Sequence, residues 1–143
     1  MTVNSDAAIA LAAQFGADLG PASNLQSPAV PEALGREIAA RFADVELVIA
    51  PDNVDDAVLA HVVARELAAE LAFAWSDEGL LGLTRESAPN TRTLLVGYDW
   101  ANYPGVGAIA ELARGGSLDL VGVVSVFDPD AADGLQPPVT ILA

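Results

Sequence analysis

The chain has 143 residues, no cysteine, and 20 acidic residues against 6 basic ones, so its formal net charge is −14. All the basic residues are arginine, and this charge excludes nucleic acid and anionic membrane surfaces as partners, because basic side chains dominate binding to phosphate. The missing cysteines exclude disulfides and thiolate metal sites, and the missing lysines exclude P-loop and Schiff-base chemistry.

The length predicts a single domain over residues 1–143. Its most apolar stretch, residues 57–75, is interrupted by His61, Arg65 and two glutamates, and is therefore not expected to span a bilayer. The N-terminus lacks the basic region of a secretion signal. A cytoplasmic protein without membrane association is expected.

The first third of the chain predicts two helices and a strand. Ser5 can cap a helix over residues 7–15, and a loop rich in turn formers follows at residues 16–28. A second helix is predicted over residues 32–42. The continuous apolar run VELVIA, residues 45–50, is typical of a strand that is buried on both faces.

The middle of the chain continues this alternation. Asp55 is predicted to cap a long helix over residues 56–71. The segment LAFAW, residues 71–75, predicts a second strand, and residues 76–87 a hairpin or mobile loop. TRTLLVG, residues 91–97, predicts a third buried strand.

The last third predicts a helix over residues 105–116, a strand over residues 119–127 and a short final strand over residues 139–143. Buried strands that alternate with helices favour an open, mainly parallel sheet with helices on both faces. The segment RTLLV, residues 92–96, is apolar without alternation and should be central. Ligands of such sheets bind beyond the carboxyl ends of the strands.

From Glu46 onward the sequence resembles the type I phosphoribosyltransferases and is most similar to bacterial orotate phosphoribosyltransferases. The resemblance rests on the order, spacing and hydrophobic pattern of residues 46–75 and 92–128. It implies an α/β fold of three layers with a mainly parallel, Rossmann-like sheet. The shortened N-terminal segment implies a reduced hood, the part that would cover a base.

The chemical motifs of that family are altered. In the family, the strand matching residues 94–96 leads into two acidic residues that hold ribose hydroxyls, and then into a Thr-Thr-Gly turn around the 5-phosphate. Here Gly97 and Tyr98 stand at the acidic positions, Asp99 comes one position late, and Pro104 donates no amide hydrogen. The degenerate ligand loop comprises Gly97, Tyr98, Asp99, Trp100, Ala101, Asn102, Tyr103, Pro104 and Gly105.

Two further sites of the family are also altered. Asp52, Asp55 and Asp56 are expected to face the pyrophosphate position and to repel that anion. The stretch that matches the catalytic loop has Ser76 and Leu80 where the family has arginine and lysine, with Arg85 nearby. The equivalent of the pyrophosphate loop comprises Pro51, Asp52, Asn53, Val54 and Asp55.

The contacts that these changes remove are worth about as much free energy as useful binding of phosphoribosyl pyrophosphate would supply. A hydrogen bond to a charged group is worth about 1.5–3 kcal/mol, so losing four of them costs roughly 6–12 kcal/mol. Micromolar binding corresponds to about 8 kcal/mol. The sequence therefore predicts a non-catalytic phosphoribosyltransferase-like homologue without catalytic residues, metal ligands or cofactor, which acts by self-association or partner binding.

Two alternatives remain open. One is a divergent orotate-type phosphoribosyltransferase, which would transfer a phosphoribosyl group from phosphoribosyl pyrophosphate to a base. It would hold magnesium through Asp99 and Asp52, and Arg85 would move into the active site. The other is a binding module for a small uncharged or cationic ligand.

The remaining polar and aromatic residues have structural interpretations as well. Tyr98, Trp100 and Tyr103 could plug the emptied pocket, form a partner-binding surface or line a new ligand pocket, and the first of these is favoured. His61 is predicted to be a surface or packed residue. The segment PDNVDD, residues 51–56, is predicted to be a solvated loop with a helix cap in preference to a cation site.

The resemblance also implies pairing, either as a homodimer or with a catalytic relative. The expected surface comprises the helix over residues 32–42, the helix over residues 55–71 and the hairpin near Leu80 and Leu81. Because the net charge opposes self-association, dimerisation should strengthen as salt screens that charge.

Overall fold

A computed structural model describes Ala10 and residues 28–100, 105–127 and 135–142. Ala10 is helical, but the rest of the predicted first helix and the segment expected to form the reduced hood lie outside the described residues. The helices are α1 (Ala29–Ala40), α2 (Val54–Leu67) and α3 (Val106–Gly115). The strands are β1 (Leu47–Pro51), β2 (Glu70–Asp77), β3 (Leu80–Leu83), β4 (Arg92–Gly97), β5 (Asp119–Ser125) and β6 (Val139–Ile141).

The strands form one sheet in the order β3-β2-β1-β4-β5-β6. Every neighbouring pair is parallel except β2 and β3, which form an antiparallel hairpin. Strand β4 lies between β1 and β5, and its residues 93–97 are all buried. The predictions of a mainly parallel sheet and of a central RTLLV strand are confirmed.

Helices cover both faces of the sheet, which confirms the three-layer architecture. On one face α1 and α2 contribute to a core with β1 and β4, and on the other face α3 packs against the opposite sides of the same strands. The first core includes Leu34, Ile38, Leu59, Val63, Val48, Leu94 and Val96. The second core includes Ile109, Ala110, Ala113, Leu47, Ile49, Leu95 and Val123.

Helices α1 and α2 pack tightly against each other. A Cβ atom added at Gly35 would lie 2.4 Å from Cγ1 of Val62, so glycine allows the two backbones to approach. Beside this contact Arg65 forms an ion pair with Glu32 at 2.7 Å. The sides of α1 and α2 that face each other are therefore not exposed to another chain.

The N-terminal boundaries differ from the predicted ones by a few residues. Helix α1 begins at Ala29, before the predicted start at residue 32, and β1 begins at Leu47, two residues after the predicted start. Glu46 still lies beside the sheet, because its N–H donates to the Arg92 carbonyl at 2.8 Å and its carbonyl accepts from the Glu70 N–H at 3.0 Å.

The predicted cap and end of α2 are wrong. Asn53, and not Asp55, caps the helix, since its side-chain oxygen accepts a hydrogen bond from the Asp56 N–H at 3.0 Å. The helix ends at Leu67 because Ala68 adopts a left-handed conformation with φ 54°. The residues after it enter β2, which begins at Glu70. Among the helices that the structure describes, none is long and apolar enough to cross a membrane.

Candidate functional site

The carboxyl ends of β1, β4 and β5 meet at one edge of the sheet, where ligands of parallel α/β sheets bind. The loop after β1 (residues 52–53) and the start of the loop after β4 (residues 98–100) lie together at this edge. The structure thus brings the predicted pyrophosphate loop next to the first part of the predicted degenerate ligand loop, up to Trp100. Gly105, the last residue of the second loop, is also described. Ala101, Asn102, Tyr103 and Pro104 lie outside the described residues.

Asp56 ties the two loops together. Its carboxylate is buried, with 6% of the residue exposed. One oxygen accepts a hydrogen bond from the Tyr98 N–H at 2.8 Å, and the other accepts from the Asn53 side-chain amide at 2.6 Å. Asp56, which was expected to face the pyrophosphate position, directs its carboxylate to the backbone after β4.

Negative charge is poorly compensated at this edge. Burial raises the pKa of Asp56, and hydrogen bonds from Tyr98 and Asn53 offset this only in part. Burial, followed by the charge of Asp99, also raises the pKa of Asp55, which has a buried oxygen without a hydrogen-bond partner. An anion placed here would meet carboxylates that are themselves costly to ionise.

These raised pKa values predict a pH-dependent stability. A carboxyl group whose pKa is raised by folding is protonated at a higher pH in the folded chain than in the unfolded chain. The free-energy cost of holding it ionised in the folded chain therefore disappears as pH falls from neutral toward 3.8, the ordinary pKa of aspartate. In Asp56→Asn this position stays neutral and keeps an acceptor for the Tyr98 N–H. We expect the free energy of unfolding of the original chain to rise relative to that of the variant as pH falls. Urea denaturation at neutral and mildly acidic pH measures this difference, and a difference that is independent of pH would contradict it.

Trp100 fills the space beside the end of β4. It is 4% exposed, adopts a positive φ of 56°, and its indole N–H donates to the Val124 carbonyl at 3.0 Å. A Cβ atom added at Gly97 would lie 2.7 Å from Cε2 of the indole. The indole thus rests on Gly97, one of the two positions where the resembling family has an acidic residue.

Tyr98 is buried on the opposite face of the sheet. It is 1% exposed and its ring stacks on that of Phe127, with 6.3 Å between the centroids. Its hydroxyl has no hydrogen-bond partner, and burial raises its pKa. Tyr98 and Trp100 therefore pack into the first and second cores respectively. Tyr103 is not among the described residues.

The residues that match the family's catalytic loop lie on the β2–β3 hairpin. Ser76 is exposed and Leu80, at the hairpin tip, is 68% exposed. Arg85 forms an ion pair with Glu70 at 2.9 Å, so it would have to leave that partner to reach a substrate. His61 is exposed on α2, in agreement with its predicted surface position.

Asp52 and Asp99, the magnesium ligands of the enzyme alternative, both lie among the described residues. Within residues 28–100, 105–127 and 135–142, no group of three or more histidine, aspartate or glutamate side chains is arranged to hold a metal ion. Asp52 is exposed and Asp99 is half-buried.

Two features of the molecule were missed by sequence reasoning. One is the hydrogen bond from the Tyr98 N–H to Asp56. The sequence indicated only its local part, because an asparagine three residues before an aspartate resembles a helix-capping pair. An open groove of about 910 Å³ lies between β3 and α3, away from the two ligand loops. Its signal was the alternation within LLGL, residues 80–83, which places Leu81 and Leu83 on one face.

Comparisons with known proteins show the type of fold. No protein-family model matches the chain, and no curated protein matches its sequence. An adenine phosphoribosyltransferase from Saccharomyces cerevisiae is similar in structure, with a TM-score of 0.67 and 15% identity over 83% of this chain and 82% of that chain. A second adenine phosphoribosyltransferase gives the same TM-score and identity over 83% of both chains.

The UMP synthase of Leishmania donovani is also similar, with a TM-score of 0.67 and 16% identity over 99% of this chain. This chain matches 36% of that protein. Identities this low show the fold alone. The chain therefore has the α/β fold of the phosphoribosyltransferases, with six mostly parallel strands between helices.

Proposed function

We propose that this chain is a non-catalytic protein with a phosphoribosyltransferase-type fold and that it acts by contact with other protein chains. The observation that carries the proposal is the burial of Trp100 against Gly97, with its indole N–H bonded to the Val124 carbonyl. A bulky side chain held by its own hydrogen bond occupies the space at the end of the central strand.

The adjoining loop supports the same proposal. In the family that the sequence resembles, the position of Tyr98 is acidic and holds a ribose hydroxyl. Here the Tyr98 ring is buried in the first core and its N–H donates to the Asp56 carboxylate, so neither group is available to a ribose. A phosphate at this edge would lie near Asp55 and Asp99, which costs energy through repulsion.

The alternative is a divergent phosphoribosyltransferase of the orotate or another base type, and a separate observation favours it. The similar solved structures include adenine phosphoribosyltransferases, and the fold extends over most of each chain. A transferase would require Trp100 to leave the second core and Arg85 to leave Glu70. We favour the non-catalytic function because Trp100 is buried in the second core and Arg85 is paired with Glu70.

A transferase assay separates the two functions. The full chain is incubated with phosphoribosyl pyrophosphate, magnesium and either orotate or adenine, and pyrophosphate release is measured. We expect no release above the protein-free background, while a competent phosphoribosyltransferase in the same buffer serves as the positive control. Magnesium-dependent release that requires the base would establish the alternative.

The proposed contact is either self-association or pairing with a catalytic relative. The outward sides of α1 and α2 and the exposed Leu80 are available for it in the described part of the chain. Light scattering over a range of salt concentrations tests self-association, which should increase as salt screens the net charge of −14. A monomer at every salt and protein concentration would leave only a different protein as the partner.

A further inference from the structure

The outer edge of β3 is open among the residues that the structure describes. Strand β3 is first in the sheet order and pairs only with β2. The Thr84 N–H donates to the Phe73 carbonyl at 3.0 Å, which makes Thr84 a hydrogen-bonded position of the antiparallel pair. Such positions alternate along a strand, so the N–H and C=O groups of Leu81 and Leu83 point away from β2.

The same two leucines line the open groove. Their side chains form its wall on the sheet side, and Ala108, Leu112 and Gly115 form the facing wall on α3. These three residues follow the spacing of one helical face. A volume of about 910 Å³ is in the range of ligand-binding pockets and can take several side chains. The edge thus offers unpaired backbone groups above an apolar groove.

Negative charge surrounds this edge. Residues 70–86, which form the hairpin and its flanks, contain four acidic residues and one arginine. That arginine, Arg85, is paired with Glu70 at 2.9 Å, and Glu111 on α3 is paired with Arg114 at 3.5 Å. Glu86 also lines the groove and forms no ion pair with the described residues. The charge that remains at the edge is negative.

We propose that β3 and this groove bind an extended, cationic segment of another protein, which adds a strand to the sheet. Main-chain hydrogen bonds to Leu81 and Leu83 would supply affinity, as in other cases of strand addition. Apolar side chains opposite these leucines would enter the groove, and flanking lysine or arginine residues would face Glu86 and the hairpin acids. A second copy of this chain carries the same acidic edge and is repelled. The inference does not depend on whether the chain is catalytic.

Peptides of opposite charge test the proposal on the full chain. The probe is a fluorescently labelled peptide of alternating lysine and valine, and its control alternates glutamate and valine. We expect only the lysine peptide to raise its anisotropy on binding, with an affinity that falls roughly tenfold as salt is raised from low to high concentration. Amide hydrogen exchange should slow at Leu81 and Leu83 but not at Gly82, whose N–H already faces β2.

Matched variants locate the contact. Leu112→Ser removes an apolar side chain from the groove and should weaken binding of the lysine peptide about tenfold. Ile141→Ser is its control, because Ile141 is 42% exposed and lies on β6 at the opposite end of the sheet, and it should leave binding unchanged. Glu86→Lys should weaken binding severalfold, and the same charge reversal at the distant, exposed Asp52 should have little effect. Thermal unfolding of each variant checks that it is folded.

Several results would overturn the proposal. One is the absence of lysine-peptide binding at millimolar concentration, and another is equal binding of the glutamate peptide. A third is slow amide exchange at Leu81 and Leu83 in the chain without peptide. If that protection grew with protein concentration, a second copy of the chain would cover the edge of β3. If it did not, another segment of the same chain would cover that edge.

Discussion

Replacing Trp100 by alanine should lower the free energy of unfolding by about 3–5 kcal/mol, the range for large aromatic side chains removed from a core. The indole is 4% exposed, packs in the second core and donates a hydrogen bond to the Val124 carbonyl. Its removal leaves a cavity at the end of the central strand. Urea denaturation followed by circular dichroism measures the loss.

Trp75 provides the matched control, because it is the other tryptophan of the chain and lies half-buried near the edge of the sheet, over Gly82. Trp75→Ala should cost less than Trp100→Ala. If Trp100→Ala does not fold, Trp100→Phe keeps an aromatic ring, loses the indole hydrogen bond and should cost about 1 kcal/mol for that bond. Equal costs for the two alanine variants would show that Trp100 is not the anchor of this site.

Replacing Gly97 by alanine should destabilise the chain by about 1–3 kcal/mol through overpacking. The added Cβ would lie 2.7 Å from Cε2 of Trp100 and 3.0 Å from its Nε1, so the indole has to move. Gly97 does not have a positive φ, and the cost therefore comes from the contact and not from the backbone conformation.

A double-mutant cycle with Trp100→Phe identifies the contact. If the indole is what the new Cβ meets, the cost of Gly97→Ala should fall in the Trp100→Phe background. Gly107→Ala on α3 is the control, because its Cβ would meet no atom within 4 Å, and alanine there should stabilise by about 0.4–1 kcal/mol. A Gly97→Ala variant that is as stable as Gly107→Ala would contradict the packing of Trp100 on Gly97.

The sheet could be predicted because its signals lie within single segments. The run LLV in β4 has no alternation, and a strand buried on both faces needs none. Residues 76–87 were predicted to be a hairpin or mobile loop, and the end of β2 and β3 form an antiparallel hairpin there. The cap of α2 could not be chosen from sequence, since residues 51–56 contain three aspartates and one asparagine, all suited to capping. Asp56 donates its N–H to the Asn53 cap and accepts a hydrogen bond from the Tyr98 N–H. Tyr98 lies 42 positions further along the chain, so the local sequence does not show this second contact.

The candidate site was predictable in composition but not in geometry. Tyr98 and Trp100 are two residues apart, so strand alternation would place both on one face of the sheet. They pack on opposite faces because the chain leaves the strand after Gly97 and Trp100 takes a positive φ. A non-glycine residue in that conformation is uncommon and depends on surrounding packing, which the local sequence does not encode.

The most direct test of the closed site is a calorimetric titration of the full chain with phosphoribosyl pyrophosphate in the presence of magnesium. A titration with magnesium alone subtracts any effect of the ion on the acidic surface. We expect no heat beyond dilution up to millimolar ligand, because Trp100 and Asp56 fill the carboxyl end of the sheet, where ligands of such sheets bind. Saturable, magnesium-dependent binding at micromolar concentration would contradict it and would show that the site opens to its ligand.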